Sequence, residues 1–559
     1  MKKMGKINAA LKTIGFLLTT TILYSCANQQ KIEFIKNPEV VDNPNKSAPL
    51  TCFLDFKTKS EYDKVTFLIK DSSRDTKLAY SYSDKQKSGY LIMLMRPDTE
   101  QSISIEITDK NGKVHQLQNA LKYKTPALPT SDAEFPKIQI SKPYSKIPTE
   151  ELTLFNPRRR APISIQGANV FNKSFGMLVI VNQKGEVLWY YNTNSRISDF
   201  DMLPNGNISY MTQDSKVVEI DFAGNIINLW YAASRPDGPD EKATPVDALT
   251  FHHDASHLPN GNRLVLSTEI REIDNYFTSE RDENAPRKKQ KVMGDIALEF
   301  TPQGEIVHRW NAFDYLPLSR IGYDTFNKYW VKRGFPDVAV DWSHANAIVP
   351  VPNEEAYLVN FRQQSAMIKI NKATSEIEWI FAEPTGWGEA LKDKLLDIPT
   401  DGWNWHQHSP RFTSNGNLLF FNNNNYQVRP FDKPKKIIES PSHVVEYEID
   451  ENEMVVKKVW TSEIPGEEPI VSTAMGRVSE LPKTGNILAC FGAVVSQEHL
   501  NEMTWLNRDK YPQWTLLREY MHTIPAKIVW EMRLLPLTED SPIGWTLFGA
   551  ERIEIMNER

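Results

Sequence analysis

The stretch Gly185-Glu186-Val187-Leu188-Trp189 is one of six that share a plan, a turn residue followed by a short strand that ends in tryptophan. The others are Gly224-Asn225-Ile226-Ile227-Asn228-Leu229-Trp230, Gly304-Glu305-Ile306-Val307-His308-Arg309-Trp310, Ser375-Glu376-Ile377-Glu378-Trp379, Met454-Val455-Val456-Lys457-Lys458-Val459-Trp460 and Ala526-Lys527-Ile528-Val529-Trp530. A second element alternates with them, a hairpin built on Asn-Gly. It occurs as Leu203-Pro204-Asn205-Gly206-Asn207, Leu258-Pro259-Asn260-Gly261-Asn262, Ser414-Asn415-Gly416-Asn417 and Leu481-Pro482-Lys483-Thr484-Gly485-Asn486, with a degenerate copy at Val351-Pro352-Asn353. Asn-Gly suits turns that need positive φ. Two hairpins per repeat make a four-stranded blade, and six blades close a ring. A β-sandwich or open sheet with repeated hairpins is the rival arrangement; the fixed alternation of the two elements favours the ring. Successive tryptophans lie 41, 80, 69, 81 and 70 residues apart. The longer intervals exceed what four short strands need, so several blades carry long loops. The expected fold is all-β, a six-bladed β-propeller over residues 161–559.

Upstream, residues 49–125 read as a small N-terminal β-sandwich. Alternating runs such as Lys64-Val65-Thr66-Phe67-Leu68-Ile69 and Ser102-Ile103-Ser104-Ile105-Glu106-Ile107 are separated by turn signals. Residues 126–160 hold several prolines and read as a linker or wrap-around segment, with Arg158-Arg159-Arg160 as a solvated surface patch. Residues 26–48 are polar and aperiodic, a tether. Residues 1–25 have the form of an export signal. Lys2, Lys3, Lys6 and Lys12 precede an apolar run, Ile14 to Tyr24, too short to span a bilayer. The run ends in Leu23-Tyr24-Ser25-Cys26, which resembles a lipobox, and a plain secretory signal is the alternative. The expectation is an exported lipoprotein, periplasmic or outer-membrane anchored, joined to the membrane through a lipid on Cys26.

Without residues 1–25 the chain keeps 61 basic and 71 acidic residues, a formal net charge of −10. No basic tract is present to neutralise phosphates, so nucleic acid is excluded as a partner. An anionic small molecule would need a local positive pocket. Beyond Cys26 only Cys52 and Cys490 occur, far apart and without metal-ligand spacing. Neither a disulfide framework nor a cysteine zinc site is expected.

Three histidines fall near one repeat position. His253 stands seven residues before Asn260, His408 seven before Asn415, and His344 nine before Asn353. Each opens the strand that leads into the hairpin. The first strand of each propeller blade lines the central channel, so these imidazoles should converge at one mouth. Arg362 ends the strand that returns from the hairpin after His344 and should reach the same place, its planar fork suited to an anion. Asn346, two residues after His344, should share its strand face. His252 should alternate away from His253, although a bulge could exchange the two. Three imidazoles can also hold a metal, but His344 and His408 lack nearby carboxylates on the same face. The remaining histidines follow no register.

Phe251-His252-His253-Asp254, Asp341-Trp342-Ser343-His344-Ala345-Asn346, Asn360-Phe361-Arg362-Gln363-Gln364-Ser365-Ala366 and Trp405-His406-Gln407-His408-Ser409 together resemble the bacterial arylsulfate sulfotransferases, which use no nucleotide sulfate donor. The resemblance spans roughly residues 45–559. It implies a ping-pong transfer in which His408 takes the sulfuryl group of an aryl sulfate as a sulfohistidine and a phenol then accepts it. It implies sulfate binding by His253, His344, Asn346, Arg362 and a downstream threonine. Spacing points to Thr473 for that last residue, with Ser472 as a rival. A C-terminal tyrosine of the family has no evident counterpart near Gly549-Ala550-Glu551-Arg552, and the disulfide near the site of some members lacks its cysteines here. No cofactor and no metal is implied. Family members can dimerise, so a homodimer stays open. The chemistry suits the residues: sulfuryl transfer is largely positioning plus charge stabilisation, and neutral imidazole is a competent nucleophile. Two other readings stand beside this one, a non-catalytic surface propeller that binds a sulfated or phenolic ligand, and a metal-dependent lyase or hydrolase.

Overall fold

The computed structural model describes residues 32–148, 151–538 and 540–555. Cys26 and the export segment lie outside the described residues. A sheet of Phe34–Asp42, Cys52–Thr58 and Tyr90–Ile92 packs on a second sheet centred on Tyr62–Lys70 and Glu100–Asp109. Phe53, Phe56, Val65, Phe67, Ile103 and Ile105 form their shared core. The strand Phe34–Asp42 corrects the expected tether. Val40 and Val41 pack on the sandwich core, and Asp42 pairs with Cys52 across the ladder.

The rest is a six-bladed propeller, each blade built on four antiparallel strands, with a short parallel strand added in blades one and two. Inner strands of blades one to five are Ile197–Met202, Ala255–His257, Ala345–Pro350, His408–Phe412 and Arg477–Glu480. The sixth blade is composite. Its inner strand, Gly544–Ile553, pairs with Leu152–Arg160, which is followed by Gly176–Val181 and Val187–Thr193. This explains why the Asn-Gly hairpin has no sixth copy: that blade's first and second strands are not consecutive in sequence. It also corrects the reading of residues 126–160 as a linker. Lys137–Lys142 adds a fifth strand to blade five and Leu152–Arg160 is the second strand of blade six, so the wrap-around alternative is the one realised.

The two repeated elements hold the ring together. Each repeat-end tryptophan lies on a fourth strand, and its indole N–H donates to the next blade. Trp189 reaches the carbonyl of Phe222, Trp230 that of Pro302, Trp310 that of Ser375, Trp460 that of Thr523, and Trp530 that of Gln183, at 2.9–3.2 Å. Trp379 donates instead to the Glu451 carboxylate at 2.8 Å. The Trp530 bond joins blade five to blade six and closes the circuit. Within four blades, the asparagine that follows the hairpin glycine donates to a buried third-strand glutamate: Asn207 to Glu219, Asn262 to Glu299, Asn417 to Glu446 and Asn486 to Glu519, at 2.6–2.8 Å. Trp310→Phe keeps the ring but strands the Ser375 carbonyl. It is expected to cost about 1–2 kcal/mol, read as a lower denaturation midpoint.

Candidate active site

Residues 312–343 connect blades two and three and fold over one end of the channel, bringing Asp324, Tyr329 and Arg333 to its mouth. Beneath them is a cavity of about 300 Å³, the lower end of the range for small-molecule sites. His253, His344, Arg362 and His408 all line it. Residues 155 positions apart in sequence thus share one small space, as the repeat register requires.

The entry geometry differs in one respect from expectation. His408 does open its strand, but His253 and His344 sit just before theirs, in left-handed backbone with φ of 61° and 46°. That conformation costs an L-residue about 1–2 kcal/mol, and side-chain partners fix both imidazoles in it. The ring centroids of His253 and His344 are 4.8 Å apart. His253 takes the Tyr329 hydroxyl at Nε2 (3.3 Å) and bonds His252 through Nδ1 (2.8 Å). His252 lies fully buried behind it, against the Ser267 carbonyl and Asp295, so His253 is the one that meets the cavity. His344 Nδ1 donates to Asp341 at 2.5 Å. That carboxylate, which the sequence reading did not credit to His344, is further held by the Trp330 indole and the Gln363 amide at 2.8 and 3.0 Å.

The left-handed turn also moves Asn346. It breaks the alternation that would have put Asn346 beside His344, and the ladder slips between Ala345 and Ala347. Asn346 does not line the cavity. It donates to the Gln407 carbonyl at 3.0 Å and bonds Asn360, fixing the backbone next to His408. Thr473 is likewise turned away: its hydroxyl accepts from Gln513 at 3.1 Å, and Ser472 donates to the Ala474 carbonyl. Ala474 and Met475 face the cavity instead. Phe548, just before Gly549, supplies an aromatic wall without a hydroxyl, 6.2 Å from His253.

His408 is 4% exposed, and its Nδ1 sits 2.6 Å from the Asn423 side-chain oxygen. The Asn423 amide nitrogen is committed to the carbonyls of Ser472 and Met475, both at 2.9 Å. Its oxygen must therefore face His408 and can only accept. Nδ1 carries the proton, and Nε2 is left with a free lone pair. Burial, and then the Arg362 guanidinium, push the His408 imidazole down to about 3. Burial, then His344, likewise hold His253 well below the ordinary imidazole range. Both are neutral near pH 7. Arg362 donates to Asp324 at 2.9 Å and to Gln363 at 2.8 Å. Asp324 also receives Arg508 and the Tyr426 hydroxyl at 2.9 and 2.6 Å. Burial alone would raise this carboxyl, but Arg508 and Arg362 hold it well below the usual range.

Several lining residues had no signature in the repeats. Arg158, Arg159 and Arg160 line the cavity, which corrects their reading as a solvated patch: the strand they end is the second of blade six, so they stand at the channel mouth. Arg196 and Arg333 join them. Asp324, Tyr329 and Arg333 belong to an interblade connection, and its only trace in the sequence was the excess length between tryptophans. Among the described residues no group of three or more His, Cys, Asp and Glu side chains is arranged to hold a metal ion.

Blades two, three and four thus bring three imidazoles and the Arg362 guanidinium round one small cavity at the channel mouth. The chain is a member of the arylsulfotransferase (ASST) family: the model of that family matches residues 137–524, and the arylsulfotransferase Ig-like domain matches residues 39–126. It is similar to the arylsulfate sulfotransferase AssT of Escherichia coli O6:H1, at 27% identity over 139 residues. That match spans 22% of this chain and 22% of the relative's length. Among solved structures it is similar to a Bacteroides caccae protein of unknown function, at 14% identity and a TM-score of 0.38, covering 73% of this chain and all of that one. A putative 6-phosphogluconolactonase from Bacteroides uniformis gives 9% identity and a TM-score of 0.32, covering 88% of this chain and all of that one.

Proposed function

We propose that the protein transfers a sulfuryl group from an aryl sulfate to a phenol through a sulfohistidine on His408. The observation that carries this reading is the neutral, buried His408, whose Nδ1–H is fixed by Asn423 so that the Nε2 lone pair is available. Nε2 attacks sulfur, the N–S bond forms, and the aryl S–O bond breaks with its electron pair leaving on the phenolate. In the second half the acceptor hydroxyl gives its proton to His344 Nε2, its oxygen attacks sulfur, and the N–S bond breaks. The proton passes from His344 to the departing phenolate of the next donor. Asp341 suits His344 to this shuttle, since a carboxylate at Nδ1 stabilises the imidazolium that forms. Arg362 and His253 offset charge on the sulfate oxygens. Family membership supports the reaction class. The test is an aryl sulfate with a phenol acceptor, with and without a chelator. Chelator-insensitive transfer supports the proposal; donor binding without transfer, or loss of activity on chelation, refutes it.

The pH profile follows from the imidazole. A base held down to about 3 stays unprotonated at any higher pH, so kcat/KM should show no acid limb from His408 between pH 7 and about 4. Stability has the opposite sense. The unfolded imidazole takes a proton below about pH 6.5 and the folded one does not, so each buried neutral histidine weakens folding as pH falls, by up to about 1.4 kcal/mol per unit. Activity lost near pH 5 should therefore coincide with unfolding by circular dichroism. A reversible acid limb in kcat/KM for the donor, with the protein still folded, would contradict this.

The export signal and the lipid on Cys26 belong to the same proposal, supported by the sequence of residues 1–26. Cys26→Ser is expected to move the protein from the membrane to the soluble fraction. Unchanged fractionation would leave the lipid without support.

A further inference from the structure

The cavity holds more positive charge than one sulfate ester can use. Asp324 answers Arg362 and Arg508, and Asp509 answers Arg160 at 2.6 Å. Among the described residues, Arg158, Arg196 and Arg333 have no carboxylate within ion-pair distance, although all three line the cavity. Arg158 spends Nε and Nη2 on the carbonyls of Ile197 and Ser198, at 2.8 and 2.6 Å, and Nη1 on the Met475 sulfur at 3.2 Å. The Nε atoms of Arg196 and Arg333 are buried with no hydrogen-bond partner. Burial, then Arg333, pull Arg196 down to about 10. Burial, then Arg196 and Arg333, pull Arg158 well below its ordinary value. Three cations thus repel one another in a chain whose net charge is negative, a state that a bound anion would relieve.

Arg333 and Arg158 are each separated from the imidazoles by one aromatic ring. The Arg333 guanidinium lies 4.6 Å from the centroid of the Tyr329 ring. That ring stacks on His253 at 5.7 Å and meets His344 at 4.7 Å. On the other wall the Arg158 guanidinium lies 5.0 Å from the Phe548 ring, itself 6.2 Å from His253. A phenyl group between Tyr329 and Phe548, with its hydroxyl at the imidazoles, would direct a substituent on its far side toward the three guanidinium groups.

We propose that Arg158, Arg196 and Arg333 form a second anion subsite, which selects phenolic acceptors carrying a carboxylate on the side of the ring opposite the hydroxyl. The proposal rests on the sulfotransferase reading and adds to it the acceptor class. The carboxylate takes no part in bond making; it orients the ring and relieves the unpaired charge.

The test uses the full chain with 4-nitrophenyl sulfate as donor and three acceptors of one shape: 3-(4-hydroxyphenyl)propionate, its methyl ester, and tyramine. At low ionic strength the acid should exceed the ester in kcat/KM by about tenfold or more, with the cationic amine poorest. The acid-to-ester ratio should fall to about threefold or less in the Arg196→Gln/Arg333→Gln double variant and survive largely in Arg333→Lys. A ratio near one in the wild type, or one that persists in the double variant, overturns the subsite. Calorimetric titration of the acid into the protein without donor separates the two readings. Binding that weakens in the double variant while no phenol is ever sulfated would sink the reaction and keep the subsite. Transfer without acid preference or acid binding would do the reverse.

Discussion

Replacing His408 with alanine is expected to lower aryl sulfate turnover by about 10⁴-fold or more, because it removes the only protein atom that bonds to sulfur in the proposed sequence. What remains is positioning by Arg362, His253 and His344, which cannot supply the covalent intermediate. The fold should survive, but with lower stability. The change leaves the Asn423 oxygen without its donor, at a cost of about 1–3 kcal/mol. Two measurements give the result its meaning. Wild-type protein incubated with donor alone should gain the mass of one sulfuryl group on the peptide containing His408; the alanine variant should not. The variant should still bind donor. Turnover that survives the substitution, or a mass gain on another residue, would remove His408 from the mechanism.

Asp324→Ala should be the most damaging change away from the imidazoles. Asp324 accepts from Arg362, Arg508 and Tyr426 at once and is 6% exposed. Its loss leaves the buried Arg362 and the partly buried Arg508 guanidinium groups without a counter-charge. Breaking a buried pair by removing one partner costs about 3–5 kcal/mol, and here one carboxylate serves two cations. The expected readout is a large fall in the denaturation midpoint together with a raised KM for the donor, since Arg362 loses the partner that aims it. Asp324→Asn keeps the size and an acceptor for Tyr426 but not the charge, and should recover only a minor part of the stability. If the asparagine variant melts with the wild type, the two arginines are satisfied elsewhere.

The fold was legible because its signals are local and repeated. Trp189 through Trp530 mark the fourth strands, and the Asn-Gly hairpins join first strands to second. Register then carries His253, His344 and His408 to one mouth, and Arg362 with them. What failed had physical causes. Asn346 was placed by strand alternation, which the left-handed backbone at His344 and the ladder slip after it interrupt. Asp324, Tyr329 and Arg333 sit on an aperiodic connection, and Arg158 on a strand whose partner lies nearly four hundred residues away in the ladder. No window along the chain can show such a partner. Thr473 was chosen by spacing alone, and its side chain faces Gln513.

The composite sixth blade sets an order of events during synthesis. Thr546 and Phe548 stand in the cavity wall, on the strand that pairs with residues translated long before it. A nascent chain can complete its amino-terminal sandwich and even several blades on the ribosome. The pocket itself comes into being only when that late strand slots beside its early partner, so its wall is the last part of the ring to be built.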